Sequence, residues 1–231
     1  MSELNKFVMQ DINTFLFDLD GTLVDSVPDL ATALNQMLSD YQLSTYDDSV
    51  IRHWVGNGAR VLVERGLSGN TKAMHHCTSN EIDAALEKFL HYYRTLETKS
   101  TVLYDSVFDT LHALKHRGYT LALITNKPSE FIAPILSLFS LSSLFSLTIG
   151  GDSLSEKKPS ALPLLYACEK LNIKPAQCVM VGDSKNDILA AKAANIKSIG
   201  LTYGYNYGEC ISTYQPDWVF DSFSEILTLN T

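Results

Sequence analysis

The sequence is poor in basic residues. Its 18 Lys and Arg residues stand against 26 Asp and Glu residues, which gives a net charge of −8 and an isoelectric point near 5.2. Binding to duplex nucleic acid or to an anionic membrane requires clustered Lys and Arg. The charge balance therefore argues against both partners, and an anionic substrate would need a local positive site.

The sequence also lacks a long apolar run. Nowhere do eighteen uncharged apolar residues follow one another, and residues 1–10 (MSELNKFVMQ) contain an acid and no apolar stretch typical of a signal peptide. We therefore expect neither export nor a membrane span, and we expect a cytoplasmic location.

Cysteines are few and scattered. They lie at Cys77, Cys168, Cys178 and Cys210, with no C-x-x-C pair. A chain of this size does not depend on disulfides for its stability, so we predict buried free thiols. The cluster His75-His76-Cys77 lacks a second group of ligands at the spacing of a zinc site, and we do not interpret it as a metal site.

The order of apolar patterns indicates the fold class. After about residue 100, short apolar runs alternate with helical stretches, as in βαβ units around a parallel sheet. From 41 to 100 no strand-like run occurs, and the apolar spacing predicts helices at 59–65 and 81–96. We therefore predict an α/β protein with a doubly wound, Rossmann-like parallel sheet and an inserted small all-helical domain.

The same spacing assigns the individual elements. Strands are predicted at 12–19, 119–124, 147–149, 178–181, 196–201 and, as an edge strand, 218–220. Helices outside the insertion are predicted at 28–40, 107–117, 129–139, 160–171, 186–194 and 224–229.

Two acids directly follow the first predicted strand, in the stretch Asp18-Leu19-Asp20-Gly21-Thr22. A carboxylate near a low-dielectric core is costly unless a metal, a cation or a set of hydrogen bonds compensates it. At average residue usage, D-x-D-G-T arises by chance on the order of a few times per thousand sequences of this length. Asp18 and Asp20 therefore suggest a cation site.

Other polar residues follow later strands, and in open α/β sheets ligands bind outside the carboxyl ends of the strands. Asp183 and Asp187 follow the strand at 178–181, so four carboxylates can meet near one crevice. Their mutual repulsion calls for a divalent cation, and oxygen-only ligands favour Mg²⁺. Because Mg²⁺ commonly binds carboxylates together with a substrate phosphate, the site implies a phosphate.

Further groups could hold that phosphate. Thr125 and Asn126 end one strand, Lys158 follows a Gly-Gly turn, and Ser129 could cap a helix whose first amides are free for an anion. Together they could neutralise the oxygens of a phosphoryl group in transit. Taken singly, Thr125-Asn126 is also typical of a turn, and Lys157-Lys158 of a solvated pair.

Four motifs jointly resemble the phosphatases of the haloacid dehalogenase superfamily. They are DLDGTLVDS at 18–26, TNK at 125–127, KKP at 157–159 and GDSKND at 182–187. WVGNGARVL (54–62), HYY (91–93), IGGDSLSEKKP (149–159) and LTYGYNYGE (201–209) are similar to the bacterial phosphoglycolate phosphatase subfamily. The likeness covers nearly the whole chain; it is weakest at 67–80 and departs at Ser160-Ala161, where His-Pro is usual.

The resemblance implies a role for each acid. Asp18 would be the nucleophile that becomes an aspartyl-phosphate, and Asp20 the general acid and base. The Asp18 carboxylate, the Asp20 carbonyl and the Asp183 carboxylate would bind Mg²⁺, with Asp187 in a secondary role, while the predicted phosphate ligands would hold the phosphoryl group. An alkoxide must leave protonated whereas a halide need not, so Asp20 favours a phosphatase over a dehalogenase.

The resemblance also divides the chain. Residues 1–25 and 101–231 would form the catalytic core, and residues 26–100 a helical cap that closes over the crevice and excludes water. The loop Gly56-Asn57-Gly58 would contact the substrate, although without the resemblance it is typical of a helix start capped by Asn57. Arg52, His53 and Arg60 are candidates for binding a substrate carboxylate.

The expected function is Mg²⁺-dependent hydrolysis of 2-phosphoglycolate, and the expected partner is a small phosphorylated metabolite. Three alternatives stay open: another small-phosphoester phosphatase, a sugar phosphomutase that keeps water from the aspartyl-phosphate, and a non-enzymatic binding module. The complete set of acids argues against the last. Because nothing in the sequence demands a partner chain, we expect a monomer or weak dimer.

Overall fold

The elements of the fold were assigned in a computed structural model, which describes residues 11–70 and 77–229. Residues 1–10, His75 and His76 lie outside the described residues. The strands are β1 (Thr14–Phe17), β2 (Val24–Asp25), β3 (Val102–Leu103), β4 (Thr120–Ile124), β5 (Phe145–Ile149), β6 (Cys178–Gly182), β7 (Lys197–Leu201) and β8 (Trp218–Phe220). The α-helices are α1 (Val27–Asp40), α2 (Asp48–Arg52), α3 (Ala59–Ser68), α4 (Ser79–Thr95), α5 (Val107–His116), α6 (Ile132–Leu138), α7 (Leu162–Leu171) and α8 (Lys185–Ala193).

Six strands form one parallel sheet in the order β5-β4-β1-β6-β7-β8. From β1 the chain builds β4 and β5 on one side and then β6, β7 and β8 on the other. The strand order therefore reverses at β1, and its carboxyl end is the switch point at which open α/β sheets bind ligands. The predicted doubly wound sheet and its edge strand β8 are confirmed.

The apolar sequence of β1 explains its central position. All four of its residues are buried, as expected for a parallel strand covered on both faces. Phe15 and Phe17 join one apolar cluster and Leu16 joins another, because successive side chains of a strand point to opposite faces of the sheet. The sheet is thus held from both sides, which fixes the position of Asp18 at the end of β1.

The helices α1 to α4 pack around a further apolar cluster, which includes Leu34, Met37 and Phe89 and extends to Phe131 and Tyr205 outside these helices. The helix α4 starts with a capping box, in which the Thr78 and Glu81 side chains each bond to the other's main-chain N–H. The antiparallel pair β2–β3 joins this insertion to the core sheet. The helical insertion is confirmed for the described residues, while its boundaries at residues 26 and 100 stay predictions.

Several local predictions are wrong. The closing helix is a 3₁₀ helix at Phe223–Thr228, a form common in short pieces, and the predicted helix at 129–139 opens with 3₁₀ residues Ser129–Phe131 before α6 begins. The sequence did not predict α2, whose five residues bury only Ile51.

The prediction of buried thiols holds for only part of the set. Cys168 and Cys178 are buried with their sulfurs 3.6 Å apart, whereas Cys77 is half-buried and Cys210 lies exposed at the end of a loop. In the part of the chain that the structure describes, no helix combines the length and the hydrophobicity needed to cross a bilayer.

Candidate active site

Three buried carboxylates meet at the carboxyl ends of β1 and β6. Asp18 follows β1, Asp183 follows β6, and Asp187 lies in the first turn of α8; an oxygen of each lies within 4.8 Å of the other two. Gly21 turns the chain beside them with φ of +87°, and a Cβ at this position would overlap the Asp183 carboxylate. The DxDG spacing thus lets the main chain after β1 approach the acid after β6.

Burial and mutual repulsion make Asp18 and Asp183 hard to ionise without a cation. Burial raises the pKa of Asp18 to about 6, and the Asp187 and Asp20 charges add to the effect of burial while Lys158 opposes it. Burial, with the charges of Asp187 and Asp18, raises the pKa of Asp183 to about 8. Oxygen donors with this excess of negative charge fit a hard divalent cation.

Asp183 and Asp187 differ in how their oxygens are engaged. Asp183 accepts one hydrogen bond at each oxygen, from Thr22 Oγ1 at 2.7 Å and from the Tyr205 N–H at 2.7 Å. Asp187 Oδ2 accepts two, from the N–H and the hydroxyl of Ser184 at 3.0 and 2.8 Å, which closes a capping box on α8. Asp183 therefore keeps more acceptor capacity for a cation.

Lys158 lies among the acids and is buried. Its Nζ lies 2.7 Å from Asp187 Oδ1 and 2.9 Å from Asp18 Oδ1. The contact with Asp18 is an ion pair whose angles do not suit a hydrogen bond. Asp18 Oδ1 therefore has no hydrogen-bond partner among the described residues. Burial lowers the pKa of Lys158, but the Asp18 and Asp187 charges outweigh it and hold that pKa above its ordinary value. Asp187 thus fixes a charged ammonium in front of Asp18.

A second buried lysine, Lys127, holds Asp20. Lys127 Nζ lies 2.9 Å from Asp20 Oδ1 and 3.3 Å from Oδ2, and the Ser26 hydroxyl donates to Oδ1 at 2.5 Å. Burial opposes the charge of Lys127, but the Asp20 carboxylate raises the pKa of this lysine above its ordinary value. The sequence prediction missed Lys127, and the available signal was its place as the third residue of the TNK motif.

Thr125 and Asn126 lie at the end of β4 and are both buried. Thr125 Oγ1 accepts from the Lys127 N–H at 3.2 Å. Asn126 Nδ2 donates to two main-chain carbonyls, that of Gly56 at 3.0 Å and that of Lys158 at 2.9 Å, while its Oδ1 is buried without a partner among the described residues. In this closed arrangement the carboxamide of Asn126 joins two loops, and its contact with a phosphoryl group stays a prediction.

The loop Gly56-Asn57-Gly58 reaches the core through its main-chain carbonyls. The Gly56 carbonyl also accepts from Asn186 Nδ2 at 3.0 Å, and the Asn57 carbonyl accepts from Lys157 Nζ at 2.7 Å. Asn57 does not cap α3, because the N-cap residue is Gly58 and the Asn57 side chain accepts from Arg65 Nη2 at 2.9 Å. The loop therefore meets the core by backbone contacts.

The basic residues of the cap that were predicted to bind a substrate carboxylate do not lie at the strand ends where the acids meet. Arg60 pairs with Asp83 and Glu64 on the surface of the cap, and Arg52 pairs with Asp25 at 2.8 Å. His53 lies against the loop at Gly208. Their predicted role in binding a carboxylate therefore has no support in their contacts.

Ser129 also lacks the predicted anion contact. Its N–H and its hydroxyl both donate to Asp152 Oδ1, at 2.9 and 2.5 Å. The main-chain donor proposed for an anion is thus already paired with a carboxylate of the core.

A cavity of about 40 Å³ lies between the strand ends and the cap, and we call it the crevice. Since about 10–15 Å³ of such volume holds one water, the closed crevice admits only a small molecule. Its apolar wall is formed by Leu30, Val55, Ala59, Leu62, Phe89, Pro128 and Phe131. Its other lining residues are Asp18, Asp20, Gly56, Gly58, Tyr93, Thr125, Asn126 and Lys127.

The chain is similar to proteins of known family. The family described as haloacid dehalogenase-like hydrolase matches residues 15–201. The phosphoglycolate phosphatase of Colwellia psychrerythraea is 54% identical over 219 residues, which are 95% of this chain and 97% of the relative. That of Psychrobacter arcticus is 48% identical over 94% of this chain and 95% of its own length.

A solved structure is similar as well. The crystal structure of a protein from Haemophilus somnus 129pt, described as a predicted phosphoglycolate phosphatase, superposes with a TM-score of 0.88. It is 44% identical in sequence and covers 95% of this chain and 98% of its own. The arrangement of both parts of the fold is therefore shared with this relative.

Proposed function

The chain belongs to the haloacid dehalogenase-like hydrolase family, and from this we propose that it hydrolyses 2-phosphoglycolate to glycolate and inorganic phosphate with the help of Mg²⁺. One observation carries the proposal: a buried ammonium, Lys158, and two further buried carboxylates, Asp183 and Asp187, lie beside Asp18, which lines a small crevice. The names of the curated relatives support the choice of substrate.

Oxygen donors of the cluster support Mg²⁺ as the cation. We assign the Asp18 carboxylate, the Asp20 carbonyl and the Asp183 carboxylate as its ligands, with Asp187 in the secondary role of holding Lys158. When bound, the cation supplies positive charge for the phosphate oxygens.

In the first step Asp18 attacks phosphorus. One carboxylate oxygen of Asp18 forms a bond to phosphorus while the bond from phosphorus to the glycolate oxygen breaks. Asp20 donates a proton to that oxygen, because an alkoxide is a poor leaving group. Thr125 Oγ1 and Lys158 Nζ hold the phosphoryl oxygens during the transfer, in which positioning and charge stabilisation supply most of the catalysis.

In the second step a water molecule attacks the phosphorus of the aspartyl-phosphate. Asp20, now a carboxylate, accepts a proton from this water, and the bond between Asp18 and phosphorus breaks to release phosphate. Ser26 and Lys127 both contact Asp20 Oδ1, whereas Oδ2 has only a longer contact with Lys127 at 3.3 Å, so Oδ2 is the less engaged oxygen and the one we assign to proton transfer. The departed glycolate leaves room in the crevice for the attacking water.

The lining of the crevice favours a small substrate over a sugar phosphate. Sugar hydroxyls would face the apolar side chains of Leu62, Phe89 and Phe131, where unpaired polar groups are costly. This argues against the phosphomutase alternative. We also propose a cytoplasmic location. For the oligomeric state we propose a monomer or weak dimer, and gel filtration tests this.

The test is a panel of kcat/KM values with Mg²⁺ for 2-phosphoglycolate, sugar phosphates and mononucleotides. We expect 2-phosphoglycolate to be preferred, and we expect a chelator or Asp18→Asn to abolish phosphate release. A flat panel would refute the substrate, and normal turnover by Asp18→Asn would refute the mechanism.

A further inference from the structure

The proposed substrate, 2-phosphoglycolate, carries a carboxylate next to its ester oxygen. The cap residues predicted to bind this carboxylate, Arg52, His53 and Arg60, make their contacts elsewhere. We infer that Lys127 of the core, together with the hydroxyl of Tyr93 on α4, binds this carboxylate and sets the preference for an acidic leaving group. The inference rests on the proposed function.

Charge in the crevice supports Lys127. Among the described residues that line the crevice, it is the one that carries a positive charge. Its side chain is only 2% exposed, so its charge is poorly screened by solvent. Lys158 is engaged by Asp18 and Asp187 on the side where the phosphoryl group must lie.

Distance supports Lys127 as well. Asp20 must reach the ester oxygen to protonate it, and in 2-phosphoglycolate one methylene separates that oxygen from the carboxylate. In any productive pose the substrate carboxylate therefore lies close enough to Asp20 for a single side chain to contact both. Lys127 Nζ lies 2.9 Å from Asp20 Oδ1, so one ammonium can contact the acid and the substrate carboxylate together.

Tyr93 supplies an independent observation. It is 4% exposed, it lines the crevice, and its hydroxyl is buried without a hydrogen-bond partner among the described residues. A buried hydroxyl that makes no hydrogen bond is costly, so such a group in a binding cavity is typical of one that awaits a ligand. Lys127 Nζ lies over the Tyr93 ring, 4.8 Å from its centre, which places both donors at the same part of the crevice.

The apolar wall makes the pair selective. Val55, Leu62 and Phe89 surround the crevice and lower the local dielectric, which strengthens an ammonium–carboxylate contact. A substrate without a carboxylate would leave the Tyr93 hydroxyl unpaired. Since Tyr93 belongs to the cap and Lys127 to the core, a bound carboxylate would also favour cap closure.

The test compares 2-phosphoglycolate with ethyl phosphate, in which a methyl group replaces the carboxylate. Lys127→Met keeps the length of the side chain and removes its charge. We expect the ratio of the two kcat/KM values to fall about 10- to 100-fold, the range of a charge-assisted hydrogen bond. Tyr93→Phe should lower the ratio about 3- to 10-fold, and glycolate should inhibit both variants less than it inhibits the unaltered protein.

The control variant and the pattern of losses distinguish a role of Lys127 in binding the substrate carboxylate from a role through Asp20. Lys88→Met is the matched control, because Lys88 pairs with Asp40 on the outer surface of the cap, and it should keep the full ratio. Equal losses on both substrates in Lys127→Met would mean that Lys127 acts only through Asp20, which would overturn the inference. If Lys127→Met fails to fold in a thermal melt, the ratio for Tyr93→Phe decides.

The test also separates the inference from the proposed function. Should the unaltered protein itself show no preference for 2-phosphoglycolate, the proposed substrate falls and the carboxylate site falls with it. A preference that survives both substitutions would sink the inference alone.

Discussion

Asn126 of the core donates a hydrogen bond of 3.0 Å to the main-chain carbonyl of Gly56, which lies 70 residues earlier in the cap. Asn186, at the start of α8, donates to the same carbonyl at 3.0 Å. Two amides of the core, one just after β4 and one in α8, therefore converge on one oxygen of the cap. Because a carbonyl has two lone pairs, both bonds can form together and hold the cap over the crevice.

Loss of one of these amides should loosen the closed cap. Asn186→Ala removes the bond to Gly56 and a bond to the Tyr207 hydroxyl. A neutral hydrogen bond contributes about 0.5–1.5 kcal/mol, so we expect kcat/KM to fall about 3- to 10-fold, mainly through KM. Steady-state kinetics measures this, with the exposed Asn13→Ala as control. Unchanged kinetics would show that Asn126 alone suffices.

Asp20→Asn should separate substrates by their leaving groups. The amide cannot donate a proton to an alkoxide in the way a carboxylic acid does, so hydrolysis of 2-phosphoglycolate should fall by about 10²–10⁴-fold in kcat. A nitrophenolate leaves without protonation, so the first step with p-nitrophenyl phosphate should suffer far less. Burst kinetics on both substrates measures the first step. Equal losses in that step would contradict the assignment of Asp20 as the acid.

The sequence could predict the core of the site because it depends on simple rules. Strands of a buried parallel sheet are apolar runs, and the residues after them meet at one edge. The structure brings Asp18, Asp183 and Lys158 together at that edge, as this reasoning predicted, and their roles stay predictions. The order of the strands does not follow from such runs, because it depends on long-range pairing and on the crossover of each βα unit.

The cap contacts could not be predicted because side-chain direction decides them. Arg60 lies on α3, and the direction of its side chain depends on how that helix is rotated against α4. There it forms an ion pair with Asp83 of α4. Lys127 was visible in the TNK motif, but only the turn after β4 points its ammonium at Asp20. The sequence therefore offered Arg52, His53 and Arg60 as candidates for substrate recognition, whereas the basic residue that lines the crevice is Lys127.

Asp183 and Asp187 should respond differently to substitution. Asp183 keeps free acceptor capacity, whereas Asp187 is engaged by Lys158 and Ser184. We therefore expect Asp183→Asn to raise the Mg²⁺ concentration for half-maximal activity about 10- to 100-fold, and Asp187→Asn to lower kcat by a similar factor with a smaller change in that concentration. Titration of activity with Mg²⁺ measures both, and identical titration curves would refute the division of roles.

Stability should depend on pH and on Mg²⁺ together. The pKa of Asp183 is about 8 in the folded protein against an ordinary value of 3.8, so between about pH 4 and pH 8 the folded state binds more protons than the unfolded state. The free energy of unfolding of the metal-free protein should therefore fall as pH rises through this window. Asp18, with a pKa of about 6, contributes in the lower half of it.

A cation that replaces these protons should remove the effect. We expect Mg²⁺ to raise the melting temperature more at pH 8 than at pH 5, by at least about 2–4 °C, the shift that 1 kcal/mol causes in a chain of this length. Melting curves recorded at each pH with Mg²⁺ and with a chelator measure this. The difference between the two melting temperatures at one pH removes the contribution of titratable groups that do not interact with Mg²⁺. Asp183→Asn should lose most of the difference and the exposed Asp40→Asn should keep it, because Asp183 is buried beside other carboxylates whereas Asp40 is exposed and pairs with Lys88. Equal shifts at both pH values would mean that Mg²⁺ binds away from these acids.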